Sequence, residues 1–324
     1  MDGRAATENI RSFVALGDSF TEGLNDRTPT GMYRGWADRF ADLLAADQPG
    51  LRYANLAIRG KLLGEVVAEQ VPRAIELRPD LVSIAAGGND ILRPGSDPDQ
   101  LAQVFDRAVT DLRSAGCRVL LFTGFDPSAF PVIRMLRGKV AVFNMHLRTI
   151  AAARGCVLVD LWSMKVLVDR RMWSADRLHL NSEGHRRVSL FVAETAGVPV
   201  TADWRAPLAE PGLPGQVPRP VAGAAAVAGA SASAGGVAAS RAVARLGSRV
   251  GARLTSARDR GQRSLAWMNA RQQDTRWAVE YAMPWVRRRL RHQSSGDDVL
   301  PKFPDLLPLD ALTGFTPGES CEST

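Results

Sequence analysis

Residues 13–23 read Phe13-Val14-Ala15-Leu16-Gly17-Asp18-Ser19-Phe20-Thr21-Glu22-Gly23. Four apolar residues, β-formers among them, predict a short buried strand that runs straight into Gly-Asp-Ser and a polar, glycine-closed turn. A serine hydroxyl is thereby set just past the carboxyl end of a strand, where many nucleophiles sit. Asp and Ser are equally ordinary turn and N-cap residues, so the tripeptide alone does not separate a nucleophile from a cap.

Residues 13–198 alternate short β-rich runs with longer amphipathic segments. Strands are expected at Phe13–Leu16, Tyr53–Ile58, Leu81–Ala85, Val119–Thr123 and Val157–Leu161. Helices are expected at Trp36–Ala46, Leu62–Leu77, Pro98–Ala115, Ile133–Ala153 and Ser182–Ala196. Leu101, Val104, Phe105, Ala108, Val109 and Leu112 follow one helix face, and Gly116 stands where a left-handed C-cap is wanted. Such alternation predicts β-α-β units and an α/β fold: a flavodoxin-like, three-layer α/β/α domain with a five-stranded parallel sheet, spanning residues 9–198.

Beyond Val198 the composition changes. Five prolines fall between residues 204 and 222, and Val221–Ser240 is almost entirely Ala, Gly and Ser. That run is uncharged and long enough to span a bilayer, but it has no Leu, Ile or Phe, and a flexible linker suits it better. Residues 199–262 are therefore expected to be a disordered linker, ending in arginines spaced four apart from Arg241 to Arg253. Residues 263–324 are expected to form a basic, aromatic extension. Its helix is expected over Leu265–Leu290 with a kink at Pro284, and the tail from Pro301 reads as extended polypeptide that could also lie along a surface.

The hydrophobic content of 45% supports a sizeable core, and the net charge of +7 resides mainly in the last third. Cys117, Cys156 and Cys321 are too few and too widely spaced for a disulfide framework or a zinc pattern, and reduced thiols are expected. Met1–Arg11 has no apolar run of signal-peptide length, so the expected location is cytoplasmic.

In a doubly wound sheet, ligands gather outside the carboxyl ends of the strands. The loops there carry Ser19, Gly60, Gly87-Gly88-Asn89-Asp90 and Asp176-Arg177-Leu178-His179. Acyl transfer needs a hydroxyl, a base of near-neutral pKa and a group to orient that base, and Ser19, His179 and Asp176 are of these types. The oxyanion needs donors already in place. The N–H groups of Ser19 and Gly60 and the Asn89 amide would supply three. His185 lies one turn inside a helix and is expected to be structural, while Asp18 and Asp90 are expected to brace their loops. Phe20, Tyr33, Phe125, Phe130 and Trp173 are candidate substrate walls, with ordinary helix–sheet packing the other reading. No metal or cofactor site is expected: four histidines lack zinc spacing, and dinucleotide and P-loop signatures are missing.

Gly-Asp-Ser (Gly17–Ser19), Asn-x-x-x-x-Gly (Asn55–Gly60), Gly-x-Asn-Asp (Gly87–Asp90) and Asp-x-x-His (Asp176–His179) together resemble the SGNH, or GDSL, hydrolases. The resemblance covers residues 11–198 and maps that family's four eponymous residues onto Ser19, Gly60, Asn89 and His179, with Asp176 completing a triad. It implies a flavodoxin-like sheet, no metal, and hydrolysis of esters or thioesters through an acyl-enzyme on Ser19. Arg59 departs from the family's usual small or polar neighbours of that glycine; it either favours an anionic substrate or faces solvent. Residues 271–298 resemble the end of actinobacterial members.

The expected function is therefore a serine esterase acting on a small-molecule ester. The same triad serves an acyltransferase to a sugar or lipid hydroxyl equally well, and a third reading is a non-catalytic domain tethered by its basic end. Arg287-Arg288-Arg289-Leu290-Arg291 beside Trp285 would suit weak contact with an anionic membrane. Nucleic acid is not an expected partner, since charge is unaccompanied by a recognition module. The sequence assigns no oligomeric state.

Overall fold

The computed structural model describes residues 9–130, 133–208 and 295–309. Residues 9–206 and 295–309 belong to one compact unit; the second unit, residues 207–287, has only 207 and 208 among the described residues. The linker beyond residue 208, the helix expected over Leu265–Leu290, Arg287–Arg291 and Cys321 all lie outside the described residues.

In the order of the chain, the elements are β1 (Ser12–Gly17), α1 (Ser19–Glu22), α2 (Trp36–Asp47), β2 (Arg52–Asn55) and α3 (Leu63–Glu65). A π-helical turn, Val66–Gln70, joins α3 to α4 (Val71–Leu77). There follow β3 (Leu81–Ala85), α5 (Gly88–Ile91), α6 (Pro98–Ser114), β4 (Arg118–Phe122), α7 (Arg137–Arg154), β5 (Val157–Val159), α8 (Ser182–Ala196) and β6 (Phe303–Pro308).

Five parallel strands stand in the order β5-β4-β3-β1-β2, with β6 added antiparallel beyond β2. Strand order reverses between β1 and β3, so the loops after these two strands flank the crevice of a doubly wound sheet. Alternation along the strands sorts the core into two faces. Val14, Leu16, Val82, Ile84, Val119 and Leu121 pack with side chains of α3, α4, α6 and α7. Phe13 faces the other way, against Phe40 of α2 at 5.3 Å, and Trp36 meets Phe122 at 4.5 Å. On that side α2 packs on α8. Each of these fully buried side chains contributes about 1.5–3 kcal/mol.

Several boundaries differ from expectation. Strand β2 stops at Asn55 rather than Ile58, because the Asn55 side chain accepts from Ala57 N–H at 3.1 Å and starts a turn. The first domain runs past 198: Trp204 packs on Phe191 of α8 at 4.8 Å, and the buried Arg187 guanidinium donates to the Trp204 and Ala206 carbonyls. The larger correction concerns the tail. Residues 303–308, expected to belong to a separate extension, form the sixth strand, so the sheet is mixed rather than wholly parallel. Leu306 enters the core while Asp305 pairs with Arg73 at 2.6 Å. Pro304 and Pro308 fit an edge strand, where a missing N–H leaves no interior ladder bond unmade. The C-cap reading of Gly116 holds: its φ is +90° and Cys117 N–H returns to the Leu112 carbonyl. Cys117 is buried, whereas Cys156 is only partly so; burial nonetheless pushes its thiol up to about 11.

Candidate active site

The Gly-Asp-Ser turn is held from both ends. Gly17 has φ +147°, and a Cβ there would overlap the Ala85 carbonyl oxygen of the neighbouring strand, so only glycine fits. Asp18 is the N-cap of α1, its Oδ1 accepting from Phe20 N–H at 3.0 Å. Gly23, at φ +88°, closes the helix by donating to the Ser19 carbonyl at 3.1 Å. Ser19 is thus the first residue of a one-turn helix, and Asp18 braces the turn as expected.

Asp176 and His179 lie on a tight loop closed by the Trp173–Leu180 bridge and by Ser174 N–H donating to the His179 carbonyl at 2.9 Å. Arg177 takes a left-handed φ of +55° within it, a conformation that non-glycine residues adopt only where surroundings enforce it. The loop brings His179 Nε2 to 2.9 Å from Ser19 Oγ, and His179 Nδ1 to 2.7 Å from Asp176 Oδ2. Asp176 Oδ1 accepts from the Leu178 and His179 N–H groups, both at 3.0 Å. Burial acts to raise the Asp176 pKa, but the His179 hydrogen bond, its charge interaction and the two backbone donors outweigh it and hold the carboxyl below its usual range.

Asn25 adds a further donor to Asp176, from Nδ2 to Asp176 Oδ2 at 2.7 Å. Sequence reasoning missed it. The only signal was an asparagine in a turn, and its left-handed φ of +72° is the conformation asparagine tolerates better than most. Gln70 was missed too. From the π-helical turn it accepts from Gly17 N–H at 2.8 Å and donates to the Gly17 carbonyl at 2.9 Å, pinning the strand end beside the serine.

The expected oxyanion donors stand on three loops. Ser19 N–H opens α1, and Gly60 is buried with φ +77°. Asn89 lies in α5, and its Nδ2 donates to Asp18 Oδ2 at 3.1 Å and the Lys61 carbonyl at 3.0 Å. Asp90 braces this loop, accepting from Leu63 N–H at 2.9 Å. Arg59 stays partly exposed but its charge is engaged: it pairs with the buried Glu22 carboxylate and lies over the Tyr33 ring at 4.8 Å.

The proposed aromatic walls are largely packing. Trp173 stands 4.5 Å from Phe125 and 5.0 Å from Phe130, and both Trp173 and Phe130 are buried. Phe20 meets Trp36 at 5.6 Å, and Tyr33 is held between Arg27 and Arg59. Phe20, Tyr33 and Phe125 keep partial exposure. His185 is outside the triad, buried, with Nδ1 accepting from Trp36 N–H at 3.2 Å. No group of His, Cys, Asp or Glu among the described residues could hold a metal ion. No helix among them is long and apolar enough to cross a membrane.

Residues 15–187 match the model of the GDSL-like lipase/acylhydrolase family. The chain belongs to this family. Membership makes it a hydrolase acting on esters at the level of class. No curated protein matches the chain. Similar solved structures include TesA, 27% identical, covering 57% of this chain and 97% of its own with a TM-score of 0.49. They also include Axe2, an acetyl xylan esterase from Geobacillus stearothermophilus, at 19% identity over 60% and 97% with a TM-score of 0.51. A third is LAE5, an alpha/beta hydrolase enzyme from the metagenome of Lake Arreo, Spain, at 21% over 58% and 95% with a TM-score of 0.50. Axe2 and LAE5 share the fold of this GDSL-like domain.

Proposed function

We propose that the protein is a serine esterase in which Ser19 is the nucleophile, His179 the general base and acid, and Asp176 the group that orients the imidazole. The observation that carries this reading is the unbroken chain from Ser19 Oγ to His179 Nε2 at 2.9 Å and from His179 Nδ1 to Asp176 Oδ2 at 2.7 Å. Nδ1–H donates to the carboxylate, which leaves the Nε2 lone pair for the serine proton.

In the reaction, Ser19 Oγ attacks the ester carbonyl carbon while its proton passes to His179 Nε2. The charge that develops on the carbonyl oxygen meets the N–H groups of Ser19 and Gly60 and the Asn89 amide, which exchanges its bond to Asp18 or Lys61 for one to the oxyanion. His179 returns the proton to the departing alkoxide, leaving an ester on Ser19. Water then attacks that ester, giving its proton to His179, and the carboxylic acid leaves as Ser19 is restored.

Ser19→Ala should lower turnover of p-nitrophenyl acetate by about 10⁴–10⁶ and abolish covalent labelling by a serine-directed phosphonate. His179→Ala should be comparably severe. A folded Ser19→Ala variant that hydrolyses the ester at the wild-type rate would sink the assignment.

A further inference from the structure

The carboxyl-terminal segment reaches the active-site loops from the far end of the chain. Lys302 Nζ donates to the Glu22 carbonyl at 2.7 Å, the Tyr33 carbonyl at 3.1 Å and Asp38 Oδ2 at 2.6 Å, which uses all three ammonium hydrogens. Glu22 is the last residue of the serine's own helix. Its side chain reaches the other way, accepting from Arg59 N–H at 2.8 Å and from Arg59 Nε, with Arg59 Nη2 completing a fork. Arg59 immediately precedes Gly60.

The same segment touches Arg59 from outside. A Cβ on Gly296 would overlap the Arg59 carbonyl oxygen and crowd Ile58 Cγ2 at 2.9 Å, so this oxygen points into the segment. A trans peptide is planar, with N–H and C=O opposed. The Gly60 N–H therefore points away from residue 296. Glu22 holds the preceding peptide through Arg59 N–H and holds the Arg59 side chain, while the chain near Gly296 borders the carbonyl of the peptide that carries this donor.

We propose that Glu22, Arg59 and Lys302, with the close approach of Gly296, form a clamp that positions the Gly60 N–H relative to Ser19. The inference rests on the esterase reading and assigns these side chains a positioning role, not a catalytic one. Lys302 anchors the end of α1 and Glu22 ties that helix to the Gly60 turn, so loosening either moves the donor without removing it. Residues 295–309 are in this way part of the active-site scaffold.

The test compares the full-length wild type with Lys302→Met, Lys302→Arg, Glu22→Gln and Gly296→Ala. The measurements are kcat and KM on p-nitrophenyl acetate, melting temperature, and hydrogen exchange of the peptide spanning residues 56–62. Removing an oxyanion donor outright costs about 10²–10³ in kcat. Misplacing one by lost bracing should cost roughly tenfold, with KM little changed. Lys302→Met and Glu22→Gln should show this fall in kcat and faster exchange of 56–62, and Lys302→Arg should recover part of both. Gly296→Ala perturbs the Arg59–Gly60 peptide directly at its carbonyl and serves if Lys302→Met does not fold. Variants with lower melting temperature but wild-type kcat and exchange would overturn the clamp and leave the esterase reading standing. A wild type that neither turns over nor takes the phosphonate would overturn that reading, while exchange in the variants would still decide the clamp.

Discussion

Lowering the pH from 7 to 5 should destabilise this protein through His185, a residue outside the reaction. The imidazole is buried between α8 and the start of α2, where Nδ1 accepts from Trp36 N–H and the Phe20 ring lies 6.4 Å away. Burial is the largest influence and drives its pKa down from 6.5 to about 3. Asp26 and the Leu24 carbonyl favour the proton, while Arg39 and Lys302 oppose it. Between these two pKa values the unfolded chain binds a proton that the folded chain refuses, so stability falls as the pH drops through the window. With an unfolded pKa of 6.5, the loss between pH 7 and pH 5 is about 2 kcal/mol. It depends little on the folded value so long as that value stays well below 5.

Urea unfolding of the full chain at pH 7, 6 and 5, followed by tryptophan fluorescence, measures the loss. His185→Asn is the comparison, since asparagine Oδ1 can take over the acceptor role of Nδ1 toward Trp36 and does not titrate. Other ionisable groups contribute equally to both proteins and cancel in the difference. The wild type should lose about 2 kcal/mol more than the variant between pH 7 and 5. Equal losses would refute the reasoning, as would a His185 ring signal titrating near 6.5 in the folded protein.

Asn25→Ala removes a donor to Asp176 worth about 1 kcal/mol, so kcat on p-nitrophenyl acetate should fall roughly fivefold with KM unchanged. Gln70→Leu leaves the buried Gly17 N–H without its acceptor and should cost about 1–3 kcal/mol in denaturant titration. Gly17→Ala combines a forbidden φ with overlap on Ala85 and should lower stability by more than about 3 kcal/mol, or prevent soluble expression.

Much of the fold was legible because its signals are local. Strand and helix periodicities, the Gly116 cap and the Gly17-Asp18-Ser19 turn are each written within a few consecutive residues. Ser19 could be singled out because it follows β1 directly, whereas Asp176 and His179 lie past the 3-10 turns that follow β5, just ahead of α8, and were legible through their Asp-x-x-His spacing. Arg59 is different: its neighbours in the chain leave its direction open, and its partner Glu22 stands 37 positions away. The aromatic residues of the loops show the same limit. Composition treats Phe130 and Trp173 alike as walls or core, and only packing made them core.

What the sequence by itself determined is the α/β class, the five parallel strands, and the candidate serine, histidine and aspartate on the loops between elements. Local propensity, turn chemistry and motif order suffice for these. The tertiary structure alone decided the sixth strand and the place of Lys302, which meets the Glu22 carbonyl across 280 positions of chain. Prolines at 301, 304 and 308 mask the strand pattern, and pairing with β2 depends on an edge that exists only once the sheet has formed. It also decided the commitments of Asn89, Gln70 and Asn25. A side-chain amide has donors and an acceptor to place, and the partners that claim them are assembled from several segments only when those segments meet.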